Sequence, residues 1–274
     1  MSFSHKPEHD SIFEPAFFFS RGDRRDALSA VYAFCREADD LSDEPGLGDP
    51  ALEIAKWRDQ LERIFDPKNV NVPGAFSRPL AERLARVASA FALEKKHFLA
   101  VLEGAEAELS GARCRTGEDL ERYLDRRAGA VAMMCVRIFG AGSSADDYAV
   151  ALGRAVHLTI LIRDVFEDAR RGRVHLPLED AKGFGVSEND ILACKESAEL
   201  AALLEFEAGR AREYYARLRG LRPPELKTEL FPAQVTACVY EGLLRKMERR
   251  GFGPRGRVRL NAAEKLFHSL RALR

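Results

Sequence analysis

The sequence predicts an all-α fold: a single helical bundle built around a central active-site cavity. Three observations carry this reading. Apolar residues recur at three- and four-residue spacing through most of the 274 residues, and no stretch alternates apolar with polar residues as a half-buried strand would. Helix-start signals recur, a Ser or Thr followed three residues later by Asp, at Thr116 with Asp119, Ser144 with Asp147, and Ser187 with Asp190. The Pro/Gly-rich patches at 43–50 and 221–225 are short enough to be helix connections, so residues 1–274 read as one domain, with 1–10 a flexible polar tail.

Taken in order, the chain opens its helical part after a cluster of phenylalanines at Phe13, Phe17, Phe18 and Phe19. Asp23 is placed to cap a first helix over 24–44, which Pro45 and Gly46 stop. A shorter amphipathic helix follows over 51–65, and Ser77 with Pro79 opens another whose alanines and leucines suit close packing. Residues 97–109 form the next helix. Thr116 and Asp119 start a helix carrying the small residues Ala128, Gly129, Ala130 and Ala132, which allow close approach of a neighbouring helix or a substrate chain. Ser144 with Asp147 would cap a long apolar helix ending near Gly172 and Pro177. Further helices are predicted after Ser187 and over 199–218, 231–250 and 262–273, the last two joined by a basic loop.

Composition excludes several functions. With 43 basic against 43 acidic side chains the chain carries no net charge, which argues against a general nucleic-acid binder. The basic residues are nevertheless gathered toward the end, in Arg245, Lys246, Arg249, Arg250, Arg255, Arg257 and Arg259. Hydrophobic residues at 46% and charged ones at 31% describe a globular protein with a sizeable core. The 5 cysteines have no paired spacing and read as reduced thiols of a cytoplasmic protein. Neither a signal-peptide pattern nor a spanning apolar run is visible, which leaves peripheral contact with a membrane surface open. Nothing in the sequence sets an oligomeric state.

Two aspartate pairs carry the chemistry. Asp164 and Asp168, at the end of the apolar run that begins near Ala155, lie four apart and share one helix face. Two like charges on one face need a cation between or near them, either an arginine or a hard divalent ion such as Mg²⁺. A solvated helix end with surface Asp–Arg pairs is the alternative. A second pair, Asp39 and Asp43, with Asp40 beside them, closes another apolar helix far away in sequence. Two such pairs on facing helices would hold Mg²⁺ ions that bind a diphosphate and draw it off its carbon.

At YAFCREADDLSDE and IRDVFEDARRGRV-LP the chain resembles the squalene/phytoene synthase family, which joins two prenyl diphosphates head to head. Looser matches are SIFEPAFFFSRGDRR, RAGAVAMM and YEGLLRKMERRGFGPRGRVRL. The resemblance implies that Asp39, Asp43, Asp164 and Asp168 bind Mg²⁺, with Mn²⁺ a possible substitute. It also implies that Arg36, Arg163 and Arg257 contact diphosphate, that Ser11 lies at the phosphate end, and that Tyr32 and Tyr240 lie near the reacting carbons. Arg36, Arg163 and the two tyrosines would form the catalytic group, and Glu108 would be an acidic residue facing the site. Ordinary packing with a satisfied hydroxyl is the structural alternative for each tyrosine.

The reaction so implied ionises one prenyl diphosphate and couples it to a second through a cyclopropyl diphosphate. Farnesyl diphosphate, giving presqualene diphosphate or a squalene-type product, is the first expectation, because the chain lacks extensions. Geranylgeranyl diphosphate, giving phytoene, is the alternative. NADPH would be needed only for reduction to squalene, and no glycine-rich dinucleotide fingerprint is present, although the family does not use one.

The chain departs from the family pattern at four positions. His157 and Ile160 stand where Gln-x-x-Asn is usual, Ala132 replaces a glycine, and His175 replaces the tyrosine of R-V-Y-L-P. A non-catalytic family member acting as an interaction or assembly protein is therefore the rival reading, and the four motif aspartates argue against it. Glu94 with His97 has di-iron spacing but no second such pair, and His9 with Asp10 is too little for a phosphohydrolase.

Overall fold

Twelve helices, joined by short turns and with no strand, make up the described part of the computed structural model, residues 17–43, 49–66, 78–253 and 256–273. The first half contains α1 (Gly22–Asp43), α2 (Pro50–Phe65), α3 (Arg78–Ala90), α4 (Lys95–Leu109), α5 (Gly117–Leu124) and α6 (Ala130–Phe139). The second contains α7 (Asp146–Arg170), α8 (Leu178–Gly183), α9 (Glu188–Leu192), α10 (Ala198–Leu221), α11 (Phe231–Arg250) and α12 (Ala262–Arg271). No helix among the described residues is long and apolar enough to cross a membrane.

Local chemistry accounts for most boundaries. The expected capping boxes close around α5 and α9, where Thr116 and Ser187 accept from the Asp119 and Asp190 amides while those aspartates reach back to the cap amides. Asn261 does the same with Glu264 at α12. The expected Ser144 cap does not form. A tight turn over Ser143–Ala145 precedes α7 and points the Ser144 hydroxyl back to the Ala141 carbonyl, so α7 starts at Asp146 without a side-chain cap. Asp23 likewise sits inside the first turn of α1 rather than ahead of it, where its charge still favours the helix N-terminus.

The centre of the bundle is α7. Its buried residues are spread around the helix, from Tyr148 and Ala149 through Leu158 and Thr159 to Phe166 and Ala169, as expected of a helix enclosed on all sides. Helix α10 packs along it most extensively, and Thr159 joins the two by a hydrogen bond to the Tyr215 hydroxyl at 3.0 Å. On another side α7 meets a wide helical turn, Asp125–Gly129, with five-residue hydrogen-bond spacing, which links α5 to α6. Gly153 makes that contact possible: a Cβ there would stand 2.6 Å from the Ala128 carbonyl carbon and from the Gly129 nitrogen. This close approach sets the distance between α7 and the residues of the wide turn, among them Arg127.

Candidate active site

A cavity of about 280 Å³ opens between the C-terminal half of α1, α4, the wide turn and the C-terminal half of α7. Its lower walls are apolar, formed by residues such as Val101, Val131, Val156, Ile160 and Leu161. The mouth is charged, with six arginines (36, 127, 163, 171, 173 and 257) and five carboxylates (39, 108, 164, 167 and 168). Such a division suits a ligand with an anionic head and a hydrocarbon tail.

The two aspartate motifs do meet here. Asp39 on α1 and Asp164 on α7 line the same cavity, each held by arginine. Arg127 Nη1 lies 2.8 Å from Asp39 Oδ1, and its Nε lies 3.3 Å from Glu108 Oε1, so one guanidinium ties α1 to α4 across the wide turn. Asp164 takes two bidentate pairs. Arg163 donates through Nε and Nη2 at 2.7 Å each, and Arg257 through the same two nitrogens at 2.7 and 2.8 Å. Burial opposes ionisation of Asp164, but these arginines hold its pKa below the ordinary carboxylate value.

Asp168 is in the opposite situation. Burial, with the Asp164 and Glu108 carboxylates nearby, pushes its pKa up to about 7. His175 Nε2 lies 3.8 Å from its Oδ2 without compensating it, because burial and Arg127 bring the His175 pKa down to about 4 and leave the ring neutral at pH 7. The site therefore keeps an undercompensated carboxylate at its mouth.

The four unusual residues fall in two places. Tyr123 stacks on His175 with ring centroids 5.1 Å apart and lies 5.7 Å from His157 at a tilt, so three rings form one wall. Burial and Arg127 lower the His157 pKa to about 3, and its Nε2 is buried without a hydrogen-bond partner. Ile160 lines the cavity one turn before Asp164 and offers no oxygen there. Ala132 is fully buried in α6 and does not line the cavity.

The other expected residues divide. Tyr32, Arg36 and Arg163 line the cavity, but Arg36 pairs with the neighbouring Asp40 at 2.9 Å rather than with Asp39. Tyr240 is 4% exposed and packs in the core of α11 without reaching the cavity wall. Ser11 and the side chain of Asp43 lie outside the described residues. Glu108 does face the site. Burial works against its charge, but Arg127 and the Tyr123 hydroxyl, which donates to it at 2.8 Å, hold its pKa down at about 2.

Sequence reasoning missed Arg127 and Tyr123, whereas Arg171 and Arg173, expected among the arginines near the Asp164 and Asp168 pair, do line the cavity. In the RAGAV stretch the small residues are the conspicuous feature. The arginine ahead of them was the one available signal, but a lone arginine in a helix gives no hint of two carboxylate partners from other helices.

Because the Glu108 pKa is lower folded than unfolded, its contribution to stability is present above pH 4.5 and is lost as pH falls toward 2. From an ordinary 4.5 to about 2, at about 1.4 kcal/mol per tenfold in acidity, that contribution is about 3 kcal/mol. Glu108→Gln is expected to remove it at pH 7, and urea unfolding at pH 7 and pH 3 checks this. The gap between the wild type and the variant should narrow sharply at pH 3.

Among the described residues no group of three or more His, Cys, Asp or Glu side chains is gathered as a ready-made metal site. Asp39, Glu108 and Asp164 are instead turned onto arginines, which occupy oxygens that a cation would share.

The sequence profile of the squalene/phytoene synthase family matches residues 6–264. A phytoene synthase of Thermus thermophilus is 34% identical over 255 residues, covering 91% of this chain and 83% of its own length. A presqualene diphosphate synthase of Zymomonas mobilis is 30% identical, covering 90% and 84%. The crystal structure of squalene synthase HpnC from Alicyclobacillus acidocaldarius has the same fold, with a TM-score of 0.77 at 24% identity over 90% of this chain and 91% of that one. A dehydrosqualene synthase solved in complex with a ligand superposes with the same TM-score at 25% identity, covering 92% of this chain and 87% of that one. With a family match across nearly the whole chain and the two aspartate helices facing one cavity, this protein belongs to the squalene/phytoene synthase family of prenyltransferases.

Proposed function

We propose that the chain condenses two molecules of farnesyl diphosphate head to head to presqualene diphosphate or a squalene-type product, in a Mg²⁺-dependent reaction. The observation that carries this reading is the convergence of Asp39 and Asp164, from two helices, on one cavity with a charged mouth and apolar walls. Phytoene formation from geranylgeranyl diphosphate is the second reading, favoured by the several phytoene synthases among the relatives.

The residues present fit a divalent cation in their chemistry. Asp168, with its pKa raised by burial and by two neighbouring carboxylates, is the kind of group whose charge a hard cation relieves, and carboxylate oxygens are Mg²⁺ ligands. Asp39, Asp164, Asp168 and, by its motif position, Asp43 would hold it. When bound, Mg²⁺ supplies positive charge against the negative charge that grows on the departing diphosphate.

The chain's own residues do the rest. Arg163 and Arg257 orient the diphosphate, and Arg257 keeps its Nη1 donors for a phosphate oxygen while Nε and Nη2 hold Asp164. The apolar walls around Val131, Leu161 and Ile160 exclude water from the allylic cation left behind. Attack by the double bond of the second substrate, with loss of one proton, closes the cyclopropane and releases one diphosphate.

Incubation with labelled farnesyl or geranylgeranyl diphosphate, with Mg²⁺, Mn²⁺ or chelator and with or without NADPH, tests the reading through product identification. A cyclopropyl diphosphate, or squalene when NADPH is present, is expected from farnesyl diphosphate. A failure to release diphosphate from either substrate in Mg²⁺ would overturn it, and would favour an assembly role. Ile160→Asn, which adds an oxygen one turn before Asp164, is expected to lower the Mg²⁺ concentration for half-maximal activity roughly 10-fold.

A further inference from the structure

A second cavity lies between α10, α11, α12 and the start of α7. It holds about 380 Å³, and no residue lines both it and the candidate active site. Its chemistry divides into two parts. The floor is aromatic and apolar, with Tyr148, Tyr215, Leu218 and Ala237 all buried. The rim is basic, with Arg219, Arg222, Arg245 and Arg271 set against the single carboxylate of Glu241.

Protein partners do not balance these arginines. Arg219 and Arg245 both donate to the same oxygen, Glu241 Oε1, at 3.2 and 2.8 Å, so one negative charge serves two guanidiniums. Arg222 donates to the neutral amide oxygen of Gln234. Arg271 has no ion pair among the described residues. The arginines also converge: the charges of Arg271, Arg219 and Arg245 all act on the Cys238 thiol, opposing burial and Glu241, which raise its pKa.

A surface network of ion pairs would match charges nearly one to one. Four arginines to one carboxylate around a recess raise one another's electrostatic energy, and a multiply charged anion relieves that repulsion. Planar guanidinium forks suit phosphate oxygens in particular, and the apolar floor adds room for hydrocarbon or a flat ring. We infer that this recess binds a phosphate-bearing amphiphile, its phosphate or diphosphate on the arginine rim and its apolar part against Tyr148, Tyr215 and Leu218. That chemistry has two sources, a prenyl diphosphate in solution or the head group of an anionic phospholipid. Helix α12, which supplies Arg271, also leaves Leu266, Phe267 and Leu270 exposed, and Leu273 just after it is exposed too.

Cys238, half-buried in the recess, is a built-in reporter. The full chain is alkylated in the presence of inorganic diphosphate, a prenyl thiodiphosphate, or phosphatidylglycerol vesicles, and labelling at Cys238 is followed by peptide mass mapping. At least one of these probes is expected to slow the reaction about 10-fold, with protection fading as salt rises. Protection by the soluble probes identifies a free ligand, and protection by vesicles alone identifies a lipid head group. Phosphatidylcholine vesicles are the neutral control, and protection by them equal to that of phosphatidylglycerol removes the vesicle arm's support for an anion site.

The double variant R245Q/R271Q should lose the protection, and R257A, altered in the candidate active site, should keep it. Arg271 is exposed, so R271Q alone folds as the wild type does and should weaken protection even if the double variant melts early. The inference is overturned if none of the probes slows labelling, if protection survives R271Q and R245Q/R271Q, or if R257A abolishes it. Diphosphate release by the wild type, measured in parallel, reports separately on the prenyltransferase reading.

Discussion

Asp164→Asn is expected to abolish detectable turnover, a loss of at least about 10³-fold, and to destabilise the protein at the same time. The carboxylate accepts four hydrogen bonds from Arg163 and Arg257. An asparagine keeps the shape but loses the charge and offers one acceptor oxygen in place of two. The Arg163 side chain is 1% exposed, so it would lose its facing charge in a largely desolvated place. Removing one partner of a buried pair costs about 3–5 kcal/mol. For a chain of this size that corresponds to a fall in Tm of about 10 °C. Calorimetric melting and product assays below the variant's transition separate the two effects. Wild-type turnover in a folded Asp164→Asn protein would show that the aspartate pair has no part in the chemistry.

Gly153→Ala is the second large effect, and it acts from a distance. Alanine is the better helix former by about 1 kcal/mol, so on an exposed helix the change would stabilise. Here the new Cβ would lie 2.6 Å from two backbone atoms of the wide turn and 2.7 Å from the Ala128 carbonyl oxygen. No rotamer change relieves a clash with backbone, so α7 and the wide turn must separate. Overpacking of this kind costs about 1–3 kcal/mol. The functional loss should be larger, because Arg127 rides on the displaced turn while its partners Asp39 and Glu108 do not. A misplacement of about 1 Å in a site of this kind costs about 10²-fold in rate. Gly183→Ala is the control, since nothing lies within 4 Å of a Cβ there, and it should leave rate and stability unchanged. Equal activity in the two variants would mean that the spacing between α7 and the wide turn is not critical.

Much of the fold was legible because helix formation and termination are local. The capping boxes at Thr116 and Ser187, and the span of α11, follow from side chains within a few residues of each other. The Ser144 cap failed for an equally local reason, because the tight turn before α7 was a second use for the same hydroxyl. The aspartate motifs were legible too, since two carboxylates four apart on an apolar helix are conspicuous in sequence.

Their partners were not. The sequence by itself determined which residues are acidic, which face of α1 and of α7 carries them, and where α11 starts and ends, since all of this depends on neighbours within one or two turns. Only the tertiary structure decided that Arg127 joins Asp39 to Glu108, that Arg257 reaches Asp164 from 93 residues away, and that Arg36 turns to Asp40. It alone also placed Tyr240 in the core and left Asp168 undercompensated beside two carboxylates. The physical reason is that charge pairing and burial depend on distance in space, and distances between helices are set by packing contacts such as Gly153 on the wide turn, which no local pattern encodes.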